Sequence, residues 1–261
     1  MKKGYIALII CLILYLIIMF VVFKGDPKQK QKEKIEEYVL FSNNQVWKYD
    51  GSKFLTVANN IEALTNQKFY IYEDGAYKGK YKLGTYENSL YLFDDDNNSI
   101  NYNGELIGFT DNNKHIVSPT ISQTIDIKDQ EIIKQFFDNN HLEYQNINYE
   151  NVQKYISDID NDDKLETLYS ISNMFDENKI GKGYSLIFIN DDDKIYELIK
   201  DIETNNKSFS EGYGYYVNNI VDLDNDKIMD FIVTKSKYGS PDICYMLIQK
   251  QKKEYKITKS C

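Results

Sequence analysis

The chain has 261 residues and a formal net charge of -9. It contains no arginine, so lysine supplies every side chain counted as positive at pH 7. This length permits one or two domains with a core large enough to fold without metal or disulfide staples. The acidic balance disfavours a nucleic-acid partner. Two histidines and three scattered cysteines exclude zinc-finger spacings.

The N-terminal segment is predicted to be a signal anchor. Residues 5–23 carry no charge and would form a helix of about 28 Å, close to the thickness of a hydrocarbon core. The alternative is a cleaved signal peptide, which needs small residues before the cleavage site, whereas this run ends in Val22-Phe23-Lys24. We therefore expect an uncleaved transmembrane helix over 1–24 and a polar juxtamembrane linker over 25–37.

The orientation of this anchor rests on opposing arguments. Lysines flank the apolar run on both sides, and the larger cluster downstream would keep the C-terminal side in the cytoplasm. However, a long domain that follows an anchor can be translocated largely regardless of charge. We predict a single-pass protein of the cell membrane with its large C-terminal domain outside the cytoplasm.

The remaining chain is predicted to be mainly β. Short runs of β-branched and aromatic residues alternate with turn dipeptides such as Asp50-Gly51, Asp74-Gly75 and Asn103-Gly104, which favour antiparallel hairpins. We expect an N-terminal β module over 38–125 and a C-terminal β module over 142–261.

One helix is predicted between these two modules, over 126–141. Asp126 is a suitable N-cap, and acidic residues follow in the first turn. Its apolar face is formed by Ile132, Ile133, Phe136 and Phe137.

Two acidic segments carry the most specific signal. Residues 158–166 read DIDNDDKLE and residues 222–230 read DLDNDKIMD, so both have carboxylates at positions one, three, five and nine. Each segment lies between two predicted strands, and their first aspartates lie 64 positions apart along the chain. This spacing indicates an internal repeat with the acidic loop as its hallmark.

The loops fit the chemistry of calcium, which takes six to eight hard oxygen ligands. Alternate side chains of a curling loop can turn toward one ion, and a main-chain carbonyl at position seven can complete the shell. Zinc and copper would prefer histidine or cysteine. The predicted ligands are Asp158, Asp160, Asp162, the Lys164 carbonyl and Glu166 in the first loop, and Asp222, Asp224, Asp226, the Ile228 carbonyl and Asp230 in the second.

An EF-hand is excluded, because its twelfth-position glutamate is replaced by Tyr169 and Val233. The two segments instead resemble the FG-GAP or VCBS-type repeat, the D-x-D-x-D-G-x-x-D calcium hairpin of integrin-like β-propellers. The resemblance covers residues 152–174 and 216–236. The sequence departs from it at the sixth position, where Asp163 and Lys227 replace glycine, and at Glu166, which replaces aspartate.

The resemblance implies propeller-like antiparallel sheets. Because a four-stranded blade takes about 60 residues and a propeller has at least four blades, we expect blades that do not close in one chain, or two packed β modules joined by the 126–138 helix. The alternative interpretation is that the two loops are ordinary acid-rich turns without a metal site. Register along the last predicted hairpin also permits a disulfide between Cys244 and Cys261, and two free thiols are the alternative.

No catalytic motif is recognisable, so we predict a protein that is not an enzyme. The expected function is that of a membrane-anchored, extracytoplasmic, calcium-stabilised β protein that acts as a binding or envelope-organising module. Its expected partners are the membrane, through the N-terminal helix, and another envelope protein or a cell-wall glycan. The alternative function is that of a carboxylate-based glycoside hydrolase of the envelope.

Overall fold

Runs of apolar and aromatic residues form β-strands along most of the chain that the structure describes. The structure is a computed structural model, and it describes residues 37–260 except 42–44, 50–52, 58–63, 66, 87–88, 101–104, 111–115, 121, 144–146, 175–182, 193, 204–211, 238 and 241–242. The chain divides after Glu36 into two units, and the described residues all belong to the second, Glu37–Cys261.

The strands are β1 (Glu37–Phe41), β2 (Gln45–Tyr49), β3 (Phe54–Thr56), β4 (Lys68–Glu73), β5 (Ala76–Tyr86), β6 (Ser89–Phe93), β7 (Leu106–Phe109), β8 (Val117–Ser118), β9 (Val152–Ser157), β10 (Glu166–Ser172), β11 (Tyr184–Asp191), β12 (Lys194–Ile202), β13 (Tyr213–Val221), β14 (Asp230–Lys237), β15 (Ile243–Gln251) and β16 (Glu254–Lys259). One α-helix, α1 (Ile127–Asn139), and a short 3-10 turn (Tyr149–Asn151) complete the described elements. The prediction of a mainly β, antiparallel chain with one helix is confirmed.

The turn between β4 and β5 shows how the turn dipeptides act. Asp74 and Gly75 both have positive φ angles, 47° and 78°, as a tight hairpin requires. A Cβ at Gly75 would lie 2.8 Å from the backbone nitrogen of Pro119, so only glycine fits there. The predicted turns at 50–51 and 103–104 lie outside the described residues.

The C-terminal strands form two sheets with the same basic layout. A four-stranded sheet has the order β12-β11-β10-β9, and a five-stranded sheet has the order β16-β15-β14-β13-β8. In each, four consecutive strands form an antiparallel meander, and an acidic loop joins its first two strands. The sequence repeat is therefore also a structural repeat.

These two sheets pack face to face through a shared apolar core. The four-stranded sheet contributes Leu168 and Ile187 to it, and the five-stranded sheet contributes Val217 and Phe231. All four side chains are at most 5% exposed. Because this core lies between the two meanders, it fixes the positions of the acidic loops that join the first two strands of each.

Helix α1 covers the outer face of the four-stranded sheet. Asp126 caps the helix by accepting from the Asp129 amide at 3.0 Å, while the Asp129 carboxylate accepts from the Asp126 amide at 2.8 Å. Ile133, Phe136 and Phe137 are buried against this sheet, as the sequence predicts. The ring of Phe136 stacks on Phe188 of β11 with centroids 4.0 Å apart.

The N-terminal strands form a seven-stranded sheet of order β3-β2-β1-β7-β4-β5-β6. One part of it packs against the free face of the five-stranded sheet, where Val39, Trp47 and Phe109 contact Ile232 and Leu247. The layers therefore follow one another as helix, four-stranded sheet, five-stranded sheet and seven-stranded sheet.

Within the described residues, no sheet closes on itself into a propeller. The helix and the seven-stranded sheet cover the outer faces of the two repeated meanders, and so occupy the places that further blades would take. Strand β8, which precedes the helix in sequence, pairs with β13 and so belongs to the five-stranded sheet.

The described part of the chain has no helix of the length and apolar character that a membrane crossing requires. The predicted anchor at 1–24 and most of the predicted linker lie outside the described residues.

Candidate metal centre

The two acidic loops share one pattern of hydrogen bonds, beginning with the aspartate at position one. In the first loop the Asp158 carboxylate accepts from the amides of Asp162 and Asp163, both at 3.2 Å. In the second loop the Asp222 carboxylate accepts from the amides at the same positions, at 3.1 and 3.0 Å. The position-one carboxylate therefore ties each loop into a closed curl.

The carboxylate at position nine closes each loop from its other end. Glu166 accepts from the Ile159 amide at 2.6 Å, and Asp230 accepts from the Leu223 amide at 3.0 Å. Glu166 has one more methylene than Asp230, yet both side chains accept from the amide at position two of their loop.

At position five, Asp162 accepts from the Lys164 amide at 3.0 Å, and Asp226 accepts from the Ile228 amide at 2.8 Å. The two nine-residue segments therefore match at every one of these side-chain contacts.

Positive φ angles recur at positions four and six of both loops. The values are 60° and 67° at Asn161 and Asp163, and 61° and 73° at Asn225 and Lys227. Asparagine and aspartate visit this region more readily than lysine does, so Lys227 carries the largest conformational cost. The sixth position thus has the conformation that glycine adopts most readily, although neither loop has glycine there.

Each loop brings three carboxylates together. One oxygen each from Asp158, Asp160 and Glu166 lie within 4.8 Å of one another, and Asp222, Asp224 and Asp226 do the same in the second loop. Since calcium–oxygen distances are about 2.4 Å, two ligands on opposite sides of one ion are about 4.8 Å apart. Each triplet is therefore compact enough to hold one metal ion.

The fourth carboxylate of each predicted set lies outside these triplets. It is Asp162 in the first loop and Asp230 in the second, so the triplets use different positions: one, three and nine in the first loop, and one, three and five in the second. The predicted carbonyl ligands of Lys164 and Ile228 belong to neither triplet. They stay predictions.

Burial makes several of these carboxylates costly to ionise. Burial raises the pKa of Asp230 to about 8, although the Leu223 amide lowers it. Burial also raises the pKa of Glu166. The Asp224 side chain is exposed, yet partial desolvation together with the neighbouring Asp226 and Asp222 carboxylates raises its pKa. A bound dication would favour the charged forms of all three.

The loops are also adjacent to each other. The Met229 amide of the second loop donates to the Ile159 carbonyl of the first at 2.8 Å. Ile159 in turn donates to Glu166, so a short chain of bonds links position eight of one loop to position nine of the other.

One lysine that belongs to neither acidic segment lies at the first loop. The Lys250 ammonium is 3.3 Å from the Asp160 carboxylate, and both side chains are partly exposed, at 19% and 33%. Lys250 comes from β15 of the neighbouring sheet, 90 residues further along the chain. Only the packing of the two sheets brings it there, so no local pattern could have indicated it.

The acidic run Asp94-Asp95-Asp96 forms a turn that follows β6. The Asp94 carboxylate there accepts from the Asn98 amide at 2.8 Å, four residues on, as Asp158 does from Asp162. Asp94 is therefore a natural control for the loop aspartates.

Cys244 is disulfide-bonded, and the other two cysteines of the chain, Cys11 and Cys261, lie outside the described residues. Leu247 pairs with Lys259 in the β15–β16 hairpin, which brings the end of β16 toward Cys244. The Cys244–Cys261 pairing stays a prediction.

Comparisons of this chain with protein-family models, with curated proteins and with solved structures found no match.

Proposed function

We propose that this chain is an extracytoplasmic β protein whose two acidic loops bind calcium and thereby stabilise its repeated meanders. In this proposal the N-terminal segment anchors it in the membrane, and the protein acts as a binding or envelope-organising module rather than an enzyme. The repeats are of FG-GAP or VCBS type, with the glycine of that pattern replaced at Asp163 and Lys227.

The observation that carries the proposal is the match between the loops. Two segments 64 residues apart have the same hydrogen bonds and the same positive φ positions, and each gathers three carboxylates within 4.8 Å. Ordinary acid-rich turns need share none of these features. Clustered carboxylates repel one another unless a cation lies among them, and calcium suits an all-oxygen site.

Two chemical arguments support the location, and the first of them does not depend on the loops. Disulfides persist mainly in oxidising compartments, and Cys244 is disulfide-bonded. Extracellular modules bind calcium with dissociation constants of about 10⁻⁴–10⁻³ M, which suits the calcium concentrations outside cells. Protease added to intact cells should therefore remove the part of the chain after the anchor. Full protection, in cells whose outer layers admit the protease, would contradict the external location.

The calcium proposal is tested by the thermal unfolding of the full-length chain in detergent micelles. At ten times Kd, each bound ion stabilises the fold by about 1.4 kcal/mol, which corresponds to a few degrees in Tm. We expect a higher Tm in millimolar calcium than in chelator, and we expect Asp160→Ala combined with Asp224→Ala to abolish the difference.

The control is Asp94→Ala, which removes an aspartate that accepts a similar backbone bond in an unrelated turn. It should leave the calcium-dependent shift unchanged. If the wild-type chain melts at the same temperature in calcium and in chelator, the loops are only acidic turns and the proposal is wrong.

A further inference from the structure

One face of the seven-stranded sheet is only half covered by the five-stranded sheet. Phe109 and Ile107 of β7 are buried on this face against the five-stranded sheet. Directly opposite them on β4 are Tyr70 and Tyr72, which therefore lie on the same face. Beyond them, β5 and β6 extend this face past the covered half.

The residues of this extended face are aromatic or basic. Register places the following side chains on it: Lys68, Tyr70 and Tyr72 from β4, Tyr77, Lys80 and Lys82 from β5, and Tyr91 and Phe93 from β6. We call these eight residues the aromatic–lysine face. Tyr77 is 54% exposed and Tyr91 is 38% exposed, so rings that usually pack in cores are offered to solvent here.

The lysines of this face are arranged at a cost to stability. Lys68 and Lys82 lie directly opposite each other across β4 and β5, and like charges in such pairs destabilise a sheet. Asp95 pairs with Lys68 at 2.8 Å, and its carboxylate also interacts electrostatically with Lys82 and Lys80. Lys80 and Lys82 form no ion pair with any residue of the described chain, and Lys80 instead lies 4.7 Å above the Tyr70 ring. An anion bound beside Lys82 and Lys80 would reduce the repulsion between Lys82 and Lys68.

We propose that the aromatic–lysine face binds an anionic polysaccharide, with sugar rings against the tyrosines and acid groups against Lys80 and Lys82. This inference rests on the binding role proposed above and names its partner, but it does not use the calcium loops. The face lies on a chain of net charge -9, so it is a local exception to the overall charge.

The composition of the face favours a glycan over a protein partner. Lysine is depleted in the centres of protein interfaces, which are also rich in apolar contacts. The eight side chains of the face include no aliphatic residue and no arginine. Aromatic rings present flat, amphipathic surfaces that suit the apolar face of a sugar, and the phenolic hydroxyls can bond its hydroxyl groups.

The test titrates carboxymethyl dextran into the full-length chain in detergent micelles and measures Kd, with unmodified dextran of the same length as the neutral probe. We expect binding to carboxymethyl dextran, little binding to dextran, and weakening as salt is added. Tyr91→Ala and Lys82→Gln should each raise Kd at least about fivefold, the change that corresponds to about 1 kcal/mol.

Matched controls come from the five-stranded sheet. Tyr213 is also 38% exposed and lies 4.0 Å below the Lys235 ammonium. Tyr213→Ala and Lys235→Gln should leave Kd unchanged, and each variant's melting curve verifies that it is folded.

The proposal is overturned if the wild-type chain does not distinguish the two polymers, or if the control variants weaken binding as much as the face variants. A partner protein at this face would give the first of these results. Since calcium binding is measured through Tm and glycan binding through Kd, either proposal can fail without the other.

Discussion

The two acidic loops have the same backbone but different surroundings. In the first loop, Asp160 is paired with Lys250, and the position-eight side chain, Leu165, is 71% exposed. In the second loop, Met229 at position eight is only 4% exposed and packs between the two sheets. Asp224, the counterpart of Asp160, forms no ion pair with any described lysine.

The difference shows how one repeat can be used in two ways. The first loop already carries part of its counter-charge as a protein ammonium, so a dication must displace it. The second loop has its position-one and position-nine carboxylates almost fully buried, at 2% and 3% exposure. These two buried carboxylates therefore depend more on an added cation. The predictions below test this contrast.

The largest loss of stability is expected when Asp129 is replaced, because the protein itself supplies the cation for this carboxylate. It lies 2.6 Å from both the Lys154 ammonium and the Tyr169 hydroxyl, and all three side chains are buried. Asp129→Asn would leave Lys154 buried without its counter-charge, so we expect a loss of about 4 kcal/mol in the free energy of unfolding. Unlike the loop variants, it should lose the same amount in calcium and in chelator.

The pH dependence of Asp129 follows from its partners. Burial alone would raise the pKa of Asp129, but the Asp126 amide, Lys154 and Tyr169 lower it below the ordinary value. A lowered pKa stabilises the fold above the unfolded pKa of about 3.9, and this stabilisation is lost as pH falls further. Urea unfolding at pH 7 and pH 3 measures this pH-dependent stabilisation. Asp138→Asn, on the exposed side of the same helix, should change stability by less than about 0.5 kcal/mol.

The next largest loss of stability is expected at position eight, where the two loops can be compared directly. Met229→Ala opens a cavity between the sheets and should cost about 3 kcal/mol. Leu165→Ala removes a side chain that is mostly in water and should cost less than about 0.5 kcal/mol. Urea titration of the two variants measures both values. Equal losses would show that the second loop is not the more deeply embedded one.

The sequence was sufficient for the local features and insufficient for this contrast. The strands β9 to β16, the cap at Asp126 and the nine-residue loops all follow from patterns within about ten residues. The pairing of Lys250 with Asp160 and the burial of Met229 arise from two sheets packing face to face, which no local pattern specifies. The aromatic–lysine face was missed for the same reason, because only sheet order shows which half of a face is covered.

A smaller effect is expected when each loop loses its position-three carboxylate. Asp224→Ala should remove up to about 1.4 kcal/mol of the calcium-dependent stabilisation at ten times Kd. Asp160→Ala should remove less at the same calcium concentration, because Lys250 already competes for that site. Tm measured across a calcium series separates the two variants. A greater loss for Asp160→Ala would reverse the ranking of the loops.

The smallest effect is expected from removing the competing lysine itself. Lys250→Gln deletes the ammonium near Asp160, so in chelator the fold should lose less than about 1 kcal/mol, as for other partly exposed ion pairs. In calcium it should recover this loss and gain a larger calcium-dependent shift than the wild-type chain, because the ion no longer displaces a lysine. Lys256→Gln, which breaks the exposed pair between Lys256 and Glu254 within β16, should change neither value. The double variant Lys250→Gln with Asp160→Ala should lose the additional shift, since the two residues act on the same site. If Lys250→Gln instead lowers the calcium response, Lys250 supports the loop rather than competing with the ion, and the proposed difference between the loops is wrong.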